Sequence, residues 1–342
     1  VGLLEQVLGW VALVVEPPAS LLIDVWSRRA LLAFGATCVG LSTLMMGLAP
    51  SYAALLAAFA VYGLGSGPLA QTADVVNLEA YPDDPERAFG RATSIDTVGA
   101  MLAPALVAVT GWLHVDWRIV LAGLGGGALG YAWALAATPF PAPPPTVDGH
   151  RLLAGLRSNV RTVLGDARTR SWLLVLVALD LFETAMLLKY VFLVEQVGLS
   201  QAQAAVYAAA EQAVGLVALA WLDRRLDRRG SGGVLPGAAI ATLVLLPAWV
   251  VVPGVTSRLA LGIPLAFAST MFWPIAKSRS LTSIPGKAGA VNAVTALFVL
   301  LPLPLAFTAI AQWVGLGPAM AGTGAAGSVA VLVASRRAER AP

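Results

Sequence analysis

Six carboxylates of this chain lie inside long apolar runs, at Glu5, Glu16, Asp96, Asp180, Glu183 and Glu211, and among its basic residues Lys189 sits comparably deep. An acidic side chain at the centre of a bilayer costs roughly 2.5–3.5 kcal/mol on an insertion scale, so each should face a cavity or a partner. Asp180 and Glu183 stand one helical turn apart. Their charges repel when both are ionised, which favours one of the pair keeping a proton, the property a proton carrier needs. A structural ion pair or a buried neutral acid is the competing reading for each. Glu5, Gly9, Ala12 and Glu16 share one helix face, and Asp180, Glu183, Leu187 and Tyr190 share another. Lys189 either snorkels toward the outer surface or pairs with Glu211. The proton-coupling candidates are therefore Asp180, Glu183, Glu211, Asp96 and Glu16.

The elements that position these groups are apolar spans of about 20 residues, the length a helix needs to cross a bilayer. They run Val1–Val25, Ala30–Leu48, Tyr52–Val76, Phe89–Trp112, Ile119–Ala137, Trp172–Val194, Gln201–Leu222, Val234–Val252, Leu259–Ser280, Gly289–Trp313 and Pro318–Ala334, eleven in all. The chain of 342 residues is 58% hydrophobic and 12% charged, against roughly 45–50% and about 25% in soluble domains. The runs are too long and unbroken for barrel strands, and an open sheet would leave backbone groups unpaired in lipid. The chain is thus expected to be an all-α polytopic membrane protein.

A duplication divides it. Arg28 and Arg29 fall on Arg228 and Arg229 at an offset of 200, and Pro85, Arg87, Ala88 and Pro104 fall on Pro285, Lys287, Ala288 and Pro304. Residues 1–138 form a first half, 139–170 a central loop and 171–342 a second half. With Arg28 and Arg29 on the cytoplasmic side, 19 of the 22 lysines and arginines lie there, Lys277, Arg279 and Lys287 included, as the positive-inside rule requires. Within the central loop, Pro141–Pro145 stops a helix. Beyond it, Leu153, Leu156, Val160, Val163 and Leu164 alternate with Arg151, Arg157, Arg161 and Arg168. This pattern reads as an amphipathic helix on the membrane surface, or otherwise as a linker.

Two halves built alike, a basic central loop, and an Asp followed by Arg-Arg after a span in each half resemble the Major Facilitator Superfamily, over the whole chain. In that family's first loop a glycine stands four residues before the aspartate and another three after it. Ser20 and Ser27 hold those places here, while Asp24, Arg28 and Arg29 are kept. Gly90, Gly99, Ala103 and Pro104 track the family's antiporter motif, with Ala103, Val107 and Ala108 where it would have glycine. The resemblance implies two pseudo-symmetric six-helix halves, with spans 2–12 of twelve visible and one helix missing before Val1. It also implies a cytoplasmic gate built from Asp24, Arg28 and Arg29 with Asp74 or Glu79 as acidic partner, repeated as Asp223 and Arg228. Simple topology determinants are the competing reading of these charges. The spans that line the family's cavity carry Gln71, Tyr190, Phe272 and Trp273 as candidate substrate contacts, and an aromatic beside carboxylates can hold an organic cation.

The resulting expectation is a secondary transporter working by alternating access, coupling proton movement to efflux of a lipophilic or cationic compound. Uptake or facilitated exchange of a polar metabolite is the alternative, and a non-transporting membrane sensor a third. No enzyme is expected: no nucleophile-base pair is present, and His114 and His150 lack further metal ligands at useful spacing. Gly125, Gly127 and Gly130 spell a dinucleotide fingerprint inside an apolar span with no preceding strand. Gly63, Gly65 and Gly67 read as helix-packing glycines. Cys38, the single cysteine, excludes an internal disulfide. No cofactor is expected beyond a proton gradient. The expected partners are a small-molecule substrate and the bilayer, not nucleic acid, for a monomer in a bacterial inner membrane.

Overall fold

Apolar stretches must pair their own backbone N–H and C=O groups, and among the described residues they fold into helices. The structure is a computed structural model that describes residues 2–23, 26–140, 160–186, 188–284, 288–297 and 301–340. Its helices are α1 (Gly2–Leu22), α2 (Arg28–Leu48), α3 (Tyr52–Ala80), α4 (Pro85–Leu113), α5 (Trp117–Ala137), α6 (Ala167–Met186), α7 (Lys189–Glu195), α8 (Gln201–Arg229), α9 (Val234–Val251), α10 (Val255–Thr270), α11 (Phe272–Leu281), α12 (Ala288–Ala296), α13 (Leu303–Val314) and α14 (Leu316–Arg340). Among the described residues, nine helical stretches are long and apolar enough to cross a membrane; α6 with α7 and α10 with α11 each count as one. Large apolar side chains such as Trp133, Trp313, Val14 and Val251 are exposed, as lipid-facing residues are.

Local chemistry sets the ends. Ser200 and Gln203 form a reciprocal capping box at the start of α8, with bonds of 3.2 and 2.9 Å, and Gly230 at φ +65° ends it. The Asp116 side chain accepts from the Arg118 amide at 2.9 Å and starts α5. Arg258 on α10 donates to the carbonyls of Trp249, Val250 and Val252 at 2.8–3.0 Å, satisfying groups that the end of α9 leaves open.

Three of the expected spans are broken: Leu259–Ser280 and Trp172–Val194, and Gly289–Trp313, which is divided into α12 and α13 with Leu301 and Pro302 outside any helix. Met271 separates α10 from α11. Pro274 lacks the N–H that would bond the Thr270 carbonyl, and it stands in the first turn of α11, where that donor is not needed. The break between Met186 and Lys189 has neither proline nor glycine. Of the surface helix expected in the central loop, residues 160–165 are helical, with Val163 buried; Arg151, Leu153, Leu156 and Arg157 lie outside the described residues.

The chain forms two compact units. The first comprises 1–80, 114–166 and 284–304, and the second 81–113, 167–283 and 305–342. In the first, α2 packs against α3 and α5, and α1 against α3 and α12; Leu32, Ala36, Ala132 and Leu135 form part of its core. Gly63 and Gly65 let α3 approach the backbones of α1 and α2, as their expected packing role requires. In the second, α6 packs on α14, α4 on α8, and α9 on both α14 and α10. Each unit thus includes a helix from the other half of the sequence, α4 in one and α12 in the other.

Candidate functional site

Asp180 and Glu183 project from α6, where Phe182 makes an edge-on contact with Phe272 of α11 at 5.5 Å. That contact brings the start of α11 to the acidic pair. Lys277, one turn beyond Trp273, is buried, and its ammonium lies 5.6 Å from the Trp273 ring centre. Its charge also acts on Asp180, and that of Asp180 on Glu183. Asp180 is half-buried and Glu183 exposed. The grouping is therefore two carboxylates, one cation and an aromatic ring, with Glu183 the acid of larger surface exposure. Lys277, counted above with the cytoplasmic-side cations at the end of the span Leu259–Ser280, belongs to this grouping.

A second polar group lies in the first unit. The Gln71 side-chain amide donates to Glu16 at 3.1 Å, and the Ser20 hydroxyl bonds the Gln71 side-chain oxygen and the Glu16 carbonyl. Pro17 and Pro18 follow Glu16 inside α1 and withhold two backbone donors there. Gly67 of α3 faces the carboxylate so closely that a methyl group at this position would overlap it. Gln71 and Glu16, drawn from different spans, are thus brought together. The Glu5 side chain lies outside the described set.

Glu211 is buried on α8 and bonds Lys189 at 2.5 Å, so Lys189 pairs rather than snorkels. Tyr190 is exposed on α7. Asp96 is exposed on α4, whereas its neighbour Thr97 is buried.

The charged helix ends form two clusters. In the first unit Arg28, which is buried, makes a two-point bond to Glu79, the longer arm at 2.6 Å. Arg29 is exposed and Asp74 half-buried; Asp24 lies outside the described residues. Successive helical residues point about 100° apart, so Arg28 and Arg29 do not reach the same partner. In the second unit Arg87 of α4 bonds Asp223 at 3.0 Å and also Asp227, while Arg279 of α11 bonds Glu86 at 2.9 Å and Glu339 at 3.3 Å. Arg228 is exposed. Asp223 is thus an ion-pair member, with Arg87 as its partner. Arg87, Asp227, Glu86 and Arg279 are ion-pair members that the sequence reading does not single out; the offset-200 match of Arg87 to Lys287 is the signal the sequence holds at that position.

A sequence model described as Major Facilitator Superfamily matches residues 1–306. The uncharacterized MFS-type transporter YhcA of Bacillus subtilis (strain 168) is 29% identical over 114 residues, 32% of this chain. The match spans about a fifth of that relative's length, 21%. Among solved structures, the human organic anion transporter MFSD10 (TETRAN) superposes with a TM-score of 0.73 at 18% identity, covering 97% of this chain and 83% of that one. The E. coli fucose:proton symporter FucP does so with a TM-score of 0.75 at 14% identity, covering 98% and 90%. Such low identities speak to fold, but the family match extends over most of the sequence and agrees with it: this chain belongs to the Major Facilitator Superfamily of membrane transporters.

Proposed function

We propose that this integral, multi-pass protein is a proton-coupled secondary transporter that expels lipophilic or cationic small molecules from a bacterial cytoplasm by alternating access. The observation that carries the reading is the pairing of Asp180 and Glu183 on one turn of α6, packed through Phe182 against the start of α11, the helix that carries Trp273 and the buried Lys277. Lys277 balances one of the two negative charges, which leaves Glu183 free to take a proton or a substrate cation, but not both at once. Exchange of one for the other is the basis of antiport. Trp273, beside Lys277, supplies a ring face for the apolar part of a substrate. Glu16 and Gln71 are a second proton-handling group in this scheme.

The test is transport of tetraphenylphosphonium into inverted vesicles on an imposed proton gradient. Glu183→Gln should abolish gradient-driven uptake, while Asp180→Asn, whose acid is already balanced, should reduce it less. Uptake by Glu183→Gln at the parental rate would refute the assignment.

Lys277 favours a second reading. A buried ammonium under an aromatic ring also suits an organic anion or a polar metabolite, moved inward or by exchange. On that reading Lys277→Met abolishes uptake of an anionic substrate, and Glu183→Gln alters only its coupling.

A further inference from the structure

The ammonium of Lys189 lies in a cage that the transport scheme does not use. Glu211 bonds it at 2.5 Å, and the rings of Tyr207 and Trp249 flank it at 5.6 and 5.3 Å from their centres. The Trp249 indole N–H donates to the Tyr207 hydroxyl at 3.2 Å and fixes the two rings relative to each other. Arg258 ties down the Trp249 carbonyl, and Phe192 of α7 packs on the Trp249 ring at 5.4 Å. Gly262 of α10 adjoins the Tyr207 hydroxyl and the Glu211 carboxylate, where any side chain would collide with the hydroxyl. A carboxylate with two aromatic faces in a desolvated setting is how proteins hold ammonium ions. Here the chain fills the site with its own lysine, at the break between α6 and α7.

The cage has a second side. Tyr207 and Glu211 also line a cavity of about 700 Å³ between α8 and α10, together with Val206, Ala210, Thr256 and Ile263. Val206 and Ile263 are exposed apolar residues of membrane-spanning helices, so the cavity is reachable from lipid. We propose that this cavity binds lipophilic ammonium compounds, the charged head replacing the Lys189 ammonium between Glu211, Tyr207 and Trp249 while the apolar tail fills the cavity. Charge complementarity selects the occupant. An anion meets Glu211, and a neutral lipid tail leaves the cage unused. Binding expels Lys189, the first residue of α7, and so frees α7 from α8. This site is separate from Asp180 and Glu183, and its test reads binding rather than transport.

The experiment is thermal unfolding of the detergent-solubilised full chain with octylammonium chloride at pH 7, against octanol at the same concentrations. Lys189→Met removes the built-in occupant and leaves Glu211 unpaired. This variant should unfold at a lower temperature than the parent, and octylammonium should restore it with at least tenfold greater apparent affinity than for the parent. Octanol should not restore it, and Lys189→Met/Glu211→Gln should lose the preference for octylammonium. Equal rescue by octanol would mean that an apolar void is merely being filled and would overturn the proposal, as would a Lys189→Met response no greater than the parent's. Should Lys189→Met fail to fold, Ile263→Trp fills the cavity with the cage intact. It should then abolish the parental response to octylammonium, and an unchanged response would refute the site.

Discussion

Gly67 and Glu16 show how one small residue decides what a carboxylate does. The glycine leaves room for the Glu16 side chain to lie against α3 and accept from Gln71 at 3.1 Å. Gly67→Ala should displace Glu16 and cost about 1–3 kcal/mol, as overpacking does. In a Glu16→Ala background the same change should cost little, so a double-mutant cycle followed by thermal unfolding should return most of the penalty as coupling; additive effects would mean that Gly67 serves helix packing alone. At this scale the sequence was informative about which acids are embedded, because a carboxylate in an apolar run is conspicuous. It was less so about partners. Arg28 and Arg29 are adjacent and chemically identical, and only the rotation of α2 turns Arg28 toward Glu79. Lys277 counted only toward orientation, yet it is buried beside Trp273.

Among the elements, the long helices were legible from length and hydropathy, and the breaks were not. Leu259–Ser280 reads as one span, although Pro274 at the junction of α10 and α11 is a residue that interrupts a helix. Nothing local marks the junction of α6 and α7, where Lys189 at the first position of α7 reaches Glu211 on α8, a tertiary contact that local sequence does not encode. In Pro274→Ala the missing donor returns to the Thr270 carbonyl. Since proline costs about 3 kcal/mol relative to alanine inside a helix and the break already relieves most of that, the variant should gain no more than about 1 kcal/mol in stability. Its transport should nevertheless slow, because the junction carries Phe272 and Trp273 and would straighten. Unfolding curves and transport rates on one preparation test both; a faster transporter would argue against a working hinge at Met271.

At the scale of the molecule, each compact unit draws helices from both halves of the sequence. Arg87 lies in the first half of the sequence but bonds Asp223 and Asp227 of the second, inside one unit. The three side chains are partly exposed, so the network contributes about 0–1 kcal/mol per pair to stability, and its weight should fall on conformational change instead. In a Cys38→Ser chain carrying Ser280→Cys on α11, Arg87→Ala should leave the melting temperature nearly unchanged. It should also speed labelling of this buried position by a permeant maleimide, and restoring charge at position 87 with lysine should slow it again. Equal labelling rates would remove Arg87 from any gating role. The pairing of α1 with α12 and of α4 with α8 also bears on biogenesis. At roughly 5–20 residues per second, α1 leaves the ribosome tens of seconds before the helix that completes its unit. A nascent chain halted before residue 288 therefore presents the insertion machinery and the membrane proteases with an unclosed helix face, and the quality of the finished protein depends on how long α1 can be sheltered in that interval.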